Sequence, residues 1–241
     1  MRPDVVRRVL DAELIAARER RGGEAPRVLD VGGGSGVFAV PLAVAGCAVT
    51  VVEPSPNALA TLHRRAHEAG VSERITAVQG DSDALGDLVA PESADLVLAH
   101  GLLEVVDDPA VTLAALAGTV APGGALSVLV ANRYATVLQR AISGRLVDAR
   151  RLLDHETGVL GLSGEALLRR FDTEGLRDLL AATGLTLELL QGQSVVSDLV
   201  SGAALDTSPA AVEALAELER LAAETPPLRD IATRLHAIAR H

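Results

Sequence analysis

Leu29-Asp30-Val31-Gly32-Gly33-Gly34-Ser35-Gly36 is the stretch whose reading decides the fold. Ahead of it, Arg27-Val28-Leu29 is a short run of the kind that makes a buried parallel strand. Behind it, Val37-Phe38-Ala39-Val40-Pro41-Leu42-Ala43 reads as the start of a helix. A strand that stops in glycines and restarts as a helix brings unpaired backbone N–H groups and the positive end of a helix dipole to one point. Glycines there let a ligand approach the main chain with no Cβ in the way. A glycine-rich turn alone is common to many α/β proteins, so the weight falls on the spacing. A dinucleotide loop, Gly-x-Gly-x-x-Gly, would need its third glycine at position 37, and Val37 stands there. The pattern is instead Asp30-x-Gly32-x-Gly34-x-Gly36, with an acid two residues before the first glycine.

Working outward, Val5 to Ile15 has apolar residues at helical spacing and ends near Arg21-Gly22-Gly23. Ala48 to Val52 is a second buried strand, ended by Glu53-Pro54-Ser55-Pro56, and Asn57 to Ala69 reads as a helix closed by Gly70. Strands are expected over Ile75 to Val78 and Ala94 to Ala99, then a helix over Pro109 to Val120 and a strand over Ala125 to Ala131. Residues Pro109 to Asn132 carry no formal charge, but Pro122-Gly123-Gly124 cuts them into helix and strand, which excludes a membrane span. From Asn132 to Arg170 the pattern loosens into a partly helical, arginine-rich cap. A helix over Thr173 to Thr183, a strand over Leu185 to Leu190, a helix from Pro209 to Ala223 and a strand near Arg234 to Ala239 follow. Strands alternating with helices predict an α/β fold: a doubly wound, mostly parallel seven-stranded sheet with a cap inserted after the fifth strand. The chain reads as one domain, with an N-terminal helix over 1–21, a core carrying the glycine loop over 27–131, the cap over 132–170 and the rest of the sheet over 171–241.

Composition narrows the function. The 241 residues are 49% hydrophobic, which excludes disorder, and the net charge of −10 argues against a general nucleic-acid binder. There is no lysine, so an anionic partner must be met by arginine. Cys47 is the single cysteine, which excludes an internal disulfide and a cysteine metal cluster and fits a reducing cytoplasm. The first residues run into a charged amphipathic helix without an apolar signal core, so a cytoplasmic location is expected, with no metal and no membrane partner.

Several residues can carry chemistry. Glu53, at the carboxyl end of the second strand about twenty residues past the glycines, can accept from both hydroxyls of a ribose. Asp81 and Ser82, in Gln79-Gly80-Asp81-Ser82, can meet an adenine amino group or cap a helix, and Asp83 stands close enough to take the same part. His100 ends the fourth strand, where ligands of open α/β sheets bind, and can contact the cofactor, orient an acceptor or act as a base. Glu104 is assigned to the helix that follows. Arg7 or Arg8 on the first helix can clamp a carboxylate bidentately, the other being a solvated helix position. The segment lacks an Asn/Asp-Pro-Pro-aromatic run, which argues against chemistry on DNA base amines, and Cys47 stands away from the glycine loop.

With these pieces in place the chain resembles the class I methyltransferases that use S-adenosylmethionine. More narrowly, it resembles the bacterial family that methylates the carboxylate of 5-carboxymethoxyuridine at the tRNA wobble position. The resemblance rests on Arg27 to Gly36 with its three consecutive glycines, on His100-Gly101-Leu102-Leu103-Glu104-Val105-Val106-Asp107-Asp108-Pro109, and on Val120 to Ser127 with Asn132. Counterparts extend over Leu215 to Glu219 and Leu235 to Arg240. It implies S-adenosylmethionine as cofactor and S-adenosylhomocysteine as product. It assigns cofactor contact to Arg7 (or Arg8), Asp30, Gly32, Gly33, Gly34, Gly36, Glu53, Asp81, Ser82 and His100, with His100 also the candidate catalytic residue. Substrate contact is expected from Asn132, Arg133, Arg150 and Arg151, with Arg145 in the same arginine cluster.

The chain departs from that family over Gln193-Ser194-Val195-Val196-Ser197-Asp198-Leu199, which lacks the arginine, aromatic and histidine residues the family carries there. Two acceptors therefore stand open, tRNA and a small metabolite or natural product, with DNA excluded and a monomer or homodimer expected. A non-catalytic cofactor-binding protein is a third alternative, and a nicotinamide-dependent oxidoreductase, disfavoured by Val37 and the Pro122-Gly123-Gly124 turn, a fourth. A carboxylate acceptor needs no general base, because an ionised oxygen can displace the sulfonium methyl in line once it is positioned and desolvated.

Overall fold

In the computed structural model, residues 5–154, 168–200 and 209–241 are described. Seven strands form one sheet in the order β3-β2-β1-β4-β5-β7-β6. They are β1 (Arg27–Val31), β2 (Ala48–Glu53), β3 (Ile75–Gln79), β4 (Ala94–His100), β5 (Val120–Ala131), β6 (Thr186–Gln193) and β7 (Arg234–Arg240). The helices are α1 (Val5–Arg20), α2 (Ala39–Val44), α3 (Pro56–Glu68), α4 (Leu85–Leu88), α5 (Pro109–Ala117), α6 (Arg133–Ile142), α7 (Leu146–Asp154), α8 (Thr173–Ala181) and α9 (Pro209–Glu224). The strand reversal between β1 and β4 is the switch point at which open α/β sheets bind ligands.

The chain separates into two compact units. The larger comprises residues 10–128, 178–188 and 238–241 and holds the glycine loop. Its strands run parallel where β1 pairs with β2 and β4, and β2 with β3, with Asp30 opposite Val51 and Leu98. Leu29, Val51, Leu96 and Leu98 are buried, so β1, β2 and β4 read as near-continuous apolar runs because both faces are covered. Cys47, just ahead of β2, is buried as well. Asp95 accepts from the Arg27 backbone N–H at 2.7 Å and pairs with the Arg27 guanidinium at 3.4 Å, which fixes the start of β1 against β4.

Helix boundaries follow local chemistry. Ser55 caps α3 by accepting from Ala58 N–H, with Pro56 in the first turn, and Asp108 caps α5 by accepting from Ala110 and Val111 N–H. The expected helix over 109–120 stops at Ala117, and β5 begins at Val120, five residues earlier than expected. Pro122-Gly123-Gly124 thus lies inside the strand: Gly123 takes φ +71°, and a Cβ at Gly124 would press on the Ala121, Asp95 and Ala94 carbonyls. Glu104 lies in the turn between β4 and α5 and not in the helix assigned to it.

The second unit comprises residues 1–9, 129–177 and 189–237. Asn132 is fully buried and caps α6 through Tyr134 N–H, while its amide donates to the Asp230 and Ala232 carbonyls at 2.9 and 2.7 Å. Glu219, also fully buried, accepts from the Val195, Val196 and Ser197 N–H groups at 2.6 to 3.0 Å, which closes the turn after β6. The cap expected over 132–170 is represented by α6 and α7; residues 155–167 lie outside the described residues.

Candidate active site

The glycine loop closes in two steps. Gly32 N–H donates to Val52 O at 2.8 Å and Gly36 N–H to Gly33 O at 3.0 Å, and Gly32, Gly34 and Gly36 all take positive φ. From α3, Arg65 donates to the carbonyl and hydroxyl of Ser35 at 3.1 and 2.9 Å and holds the outer turn. Arg65 has no place in the sequence reading, because its contact joins positions thirty residues apart with no motif to mark it.

Glu53 is buried at the end of β2, and its two carboxylate oxygens accept from Gly34 N–H at 3.0 Å and Ser55 N–H at 2.9 Å. One of the loop donors expected to meet a ligand is thus tied to Glu53. Each oxygen keeps a second lone pair for a hydroxyl. Beside Glu53, a cavity of about 400 Å³ is bordered by Gly32, Glu53, Asp81, Ser82, Leu102 and Asp107. Asp83, Val105 and Val106 also line it. Asp81 stands exposed at the head of a short 3-10 turn, Ser82–Ala84, without capping it, and accepts from the Ser82 hydroxyl at 3.1 Å.

The structure thus brings Gly32, Glu53, Asp81 and Ser82 to one cavity. The lining residues Leu102, Val105, Val106 and Asp107 are not among the expected site residues; the signal that marks them is their position just past the carboxyl end of β4.

Asp30, Gly33, Gly34 and Gly36 build the loop without lining the cavity. Asp30 is buried beneath Gly33, where a Cβ would come within 2.6 Å of its Oδ2. Burial, with the charge of Glu53 adding to it, pushes the Asp30 carboxyl up to about 7. His100 is half-buried: its Nε2 lies 2.8 Å from Ser127 Oγ, and its ring meets Phe38 edge-to-face at 4.5 Å.

The residues expected at the substrate or clamp positions belong to the other unit. Arg7 is half-buried and Arg8 exposed, with Glu217 among the charges near Arg8. Asn132 has its side chain committed to the fold, as described above. Arg133 pairs with Asp172 at 3.1 Å and lies 5.2 Å from the Tyr134 ring centre. Arg145 pairs with Asp148 at 3.4 Å, and Arg150 and Arg151 are exposed on α7.

Residues 5–190 match the family model described as a methyltransferase domain. The chain belongs to that family. Its fold is that of the class I enzymes that use S-adenosylmethionine, as the seven-stranded sheet and the comparison structures agree. Among curated relatives, the tRNA 5-carboxymethoxyuridine methyltransferase of Escherichia coli K12 is 32% identical over 119 residues, covering 49% of this chain and 45% of that one. The ubiquinone biosynthesis O-methyltransferase of Azorhizobium caulinodans is 35% identical over 128 residues, 53% of this chain and 49% of that one. The chain therefore spans about half the length of the curated relatives it matches. A SAM-dependent methyltransferase from Methanosarcina mazei superposes with a TM-score of 0.63 at 15% identity, covering 90% of this chain and 92% of that one. The cofactor of these enzymes is S-adenosylmethionine, and the cavity beside Glu53 offers carboxylates and apolar walls formed by Val52, Leu102 and Val105. None of the described helices is long and apolar enough to cross a membrane.

Proposed function

We propose that the chain transfers the methyl group of S-adenosylmethionine to an oxygen of a small-molecule acceptor. The C–S bond of the sulfonium breaks, an O–CH₃ bond forms, and S-adenosylhomocysteine leaves. The observation that carries the reading is the gathering of Gly32, Glu53, Asp81 and Ser82 on one 400 Å³ cavity at the sheet's switch point. Glu53 takes the ribose, Asp81 and Ser82 the adenine edge, and His100, held by Ser127 and Phe38, positions the reacting end. The family match runs through segments of both compact units, which supports reading them as parts of one methyltransferase domain.

A small acceptor is favoured over tRNA by the net charge of −10 and by the pairing of Arg133 and Arg145 with carboxylates of the same unit. The tRNA wobble carboxylate is the second reading, favoured by the sequence from His100 to Pro109 and by the Escherichia coli relative.

Two measurements test these readings. Calorimetry should show S-adenosylmethionine binding that Glu53→Ala weakens by at least roughly tenfold, the loss expected for a charged acceptor of two hydroxyls; unchanged affinity removes Glu53 from the site. Labelled methyl from S-adenosylmethionine is then offered to bulk tRNA containing carboxymethoxyuridine. Base-labile label in tRNA replaces the small-molecule reading with the wobble ester, and absence of label with cofactor binding intact supports the small acceptor.

A further inference from the structure

Away from the glycine loop, the smaller unit contains two cavities with walls in common. The first, about 430 Å³, is bordered by Arg140 of α6, Arg170 just ahead of Phe171, and Arg234 at the start of β7, together with Thr136, Ser143 and Thr233. The second, about 330 Å³, is bordered by Leu138, Ile142, Val195, Leu199 and Ile231. Ala135, Gln139, Ser143 and Thr233 line both, so the two spaces adjoin along α6. Each is of the size of a small-ligand site, and the shared walls join them into a longer one.

Their chemistry differs sharply. Three arginines line the first and suit a group with two negative charges and several acceptor oxygens. The Thr136, Ser143 and Thr233 hydroxyls donate to the Asn132 carbonyl, the Arg140 carbonyl and Asp198 and so shape the wall. Arg170 is steadied there by donating to the Leu168 carbonyl at 3.1 Å. The second is walled by branched aliphatic side chains, with Ile142 81% and Leu199 73% exposed. Asp198 also borders it, and the Thr233 hydroxyl donates to Asp198 at 3.1 Å. A cationic pocket continuous with an exposed aliphatic one calls for a ligand with an anionic head and a hydrocarbon body.

We propose that this double cavity binds a small amphiphile with a phosphomonoester head, the head among Arg140, Arg170 and Arg234 and the hydrocarbon against Leu138, Ile142 and Leu199. A monoester, as a dianion, matches three guanidiniums better than the singly charged diester of a nucleic-acid backbone. The proposal concerns binding and stands or falls apart from methyl transfer.

The test uses calorimetry on the full chain with inorganic phosphate and hexyl phosphate, and urea midpoints as the check on folding. Hexyl phosphate should bind at least roughly tenfold more tightly than inorganic phosphate, because its methylenes leave water. Combined Arg140→Gln and Arg170→Gln should weaken both probes by roughly tenfold or more. Leu138→Ser with Ile142→Ser should remove the preference for the hexyl chain and leave inorganic phosphate binding intact. Arg150→Gln with Arg151→Gln, on exposed α7 positions, should change neither probe. If the first pair fails to fold, Arg234→Gln, at an exposed strand start, carries the head-group test. Equal affinity for the two probes, absence of binding, or an equal loss in the α7 pair overturns the proposal. So does displacement of hexyl phosphate by bulk tRNA at lower concentration than by inorganic phosphate, which would make the occupant an RNA.

Discussion

Asp30 shows how one residue type can be legible while its role is not. The sequence marks it by its place before the glycines, and a ligand contact is the natural expectation. In the fold its carboxyl lies beneath Gly33, and its Oδ2 makes no hydrogen bond to a described protein group. An unfolded carboxyl ionises near pH 4, whereas the folded one holds its proton to about 7. The native state thus binds the extra proton between these values, and this residue makes stability fall as pH rises through the window. Asp30→Asn keeps the shape and removes the ionisation. Its urea midpoint should lack that decline and equal or exceed the parent's at pH 8; a parent midpoint that declines no more than the variant's refutes the account. The sequence cannot show this, since burial of a carboxylate beneath its own loop depends on three strands meeting around it.

At the scale of elements, punctuation was readable and pairing was not. Gly70 and Gly184 close α3 and α8 near the expected residues, each with positive φ, because glycine alone enters that conformation at no steric cost. The early start of β5 is not legible because Pro-Gly-Gly reads as a turn, whereas in the fold Gly124 sits so close to the Ala94 and Asp95 carbonyls that only a residue without a Cβ fits. In the glycine loop the three alternate glycines are not equivalent. A Cβ at Gly36 would collide with Leu62 of α3, whereas one at Gly34 meets nothing within 4 Å and bears only the strain of φ +56°. Gly34→Ala should cost about 1–2 kcal/mol from the left-handed backbone alone. Gly36→Ala should cost clearly more, since overpacking adds about 1–3 kcal/mol. Urea unfolding of the two variants checks the order, and equal losses would mean that Leu62 yields freely.

For the whole molecule, acid response is the sum of opposed groups. His236 is fully buried in β7, its Nδ1 accepts from the Gln191 amide at 2.9 Å, and burial pushes its ionisation down to about 3. The unfolded chain takes up this proton near pH 6.5, so His236 costs stability as pH falls from there toward 3, against the direction set by Asp30. Between pH 4 and 6.5 the two slopes partly cancel. In Asp30→Asn, stability should rise with pH across that range; in His236→Gln it should fall. Midpoints that move the same way in both variants would refute the opposition. Cys47 carries a different consequence. As the chain's single thiol, sealed ahead of β2, it is a built-in clock for opening of the parallel core. A thiol reagent in excess should modify it only as fast as that region unseals, so slower labelling with S-adenosylmethionine present would time how firmly the ligand locks the sheet, without a dye, tag or mutation.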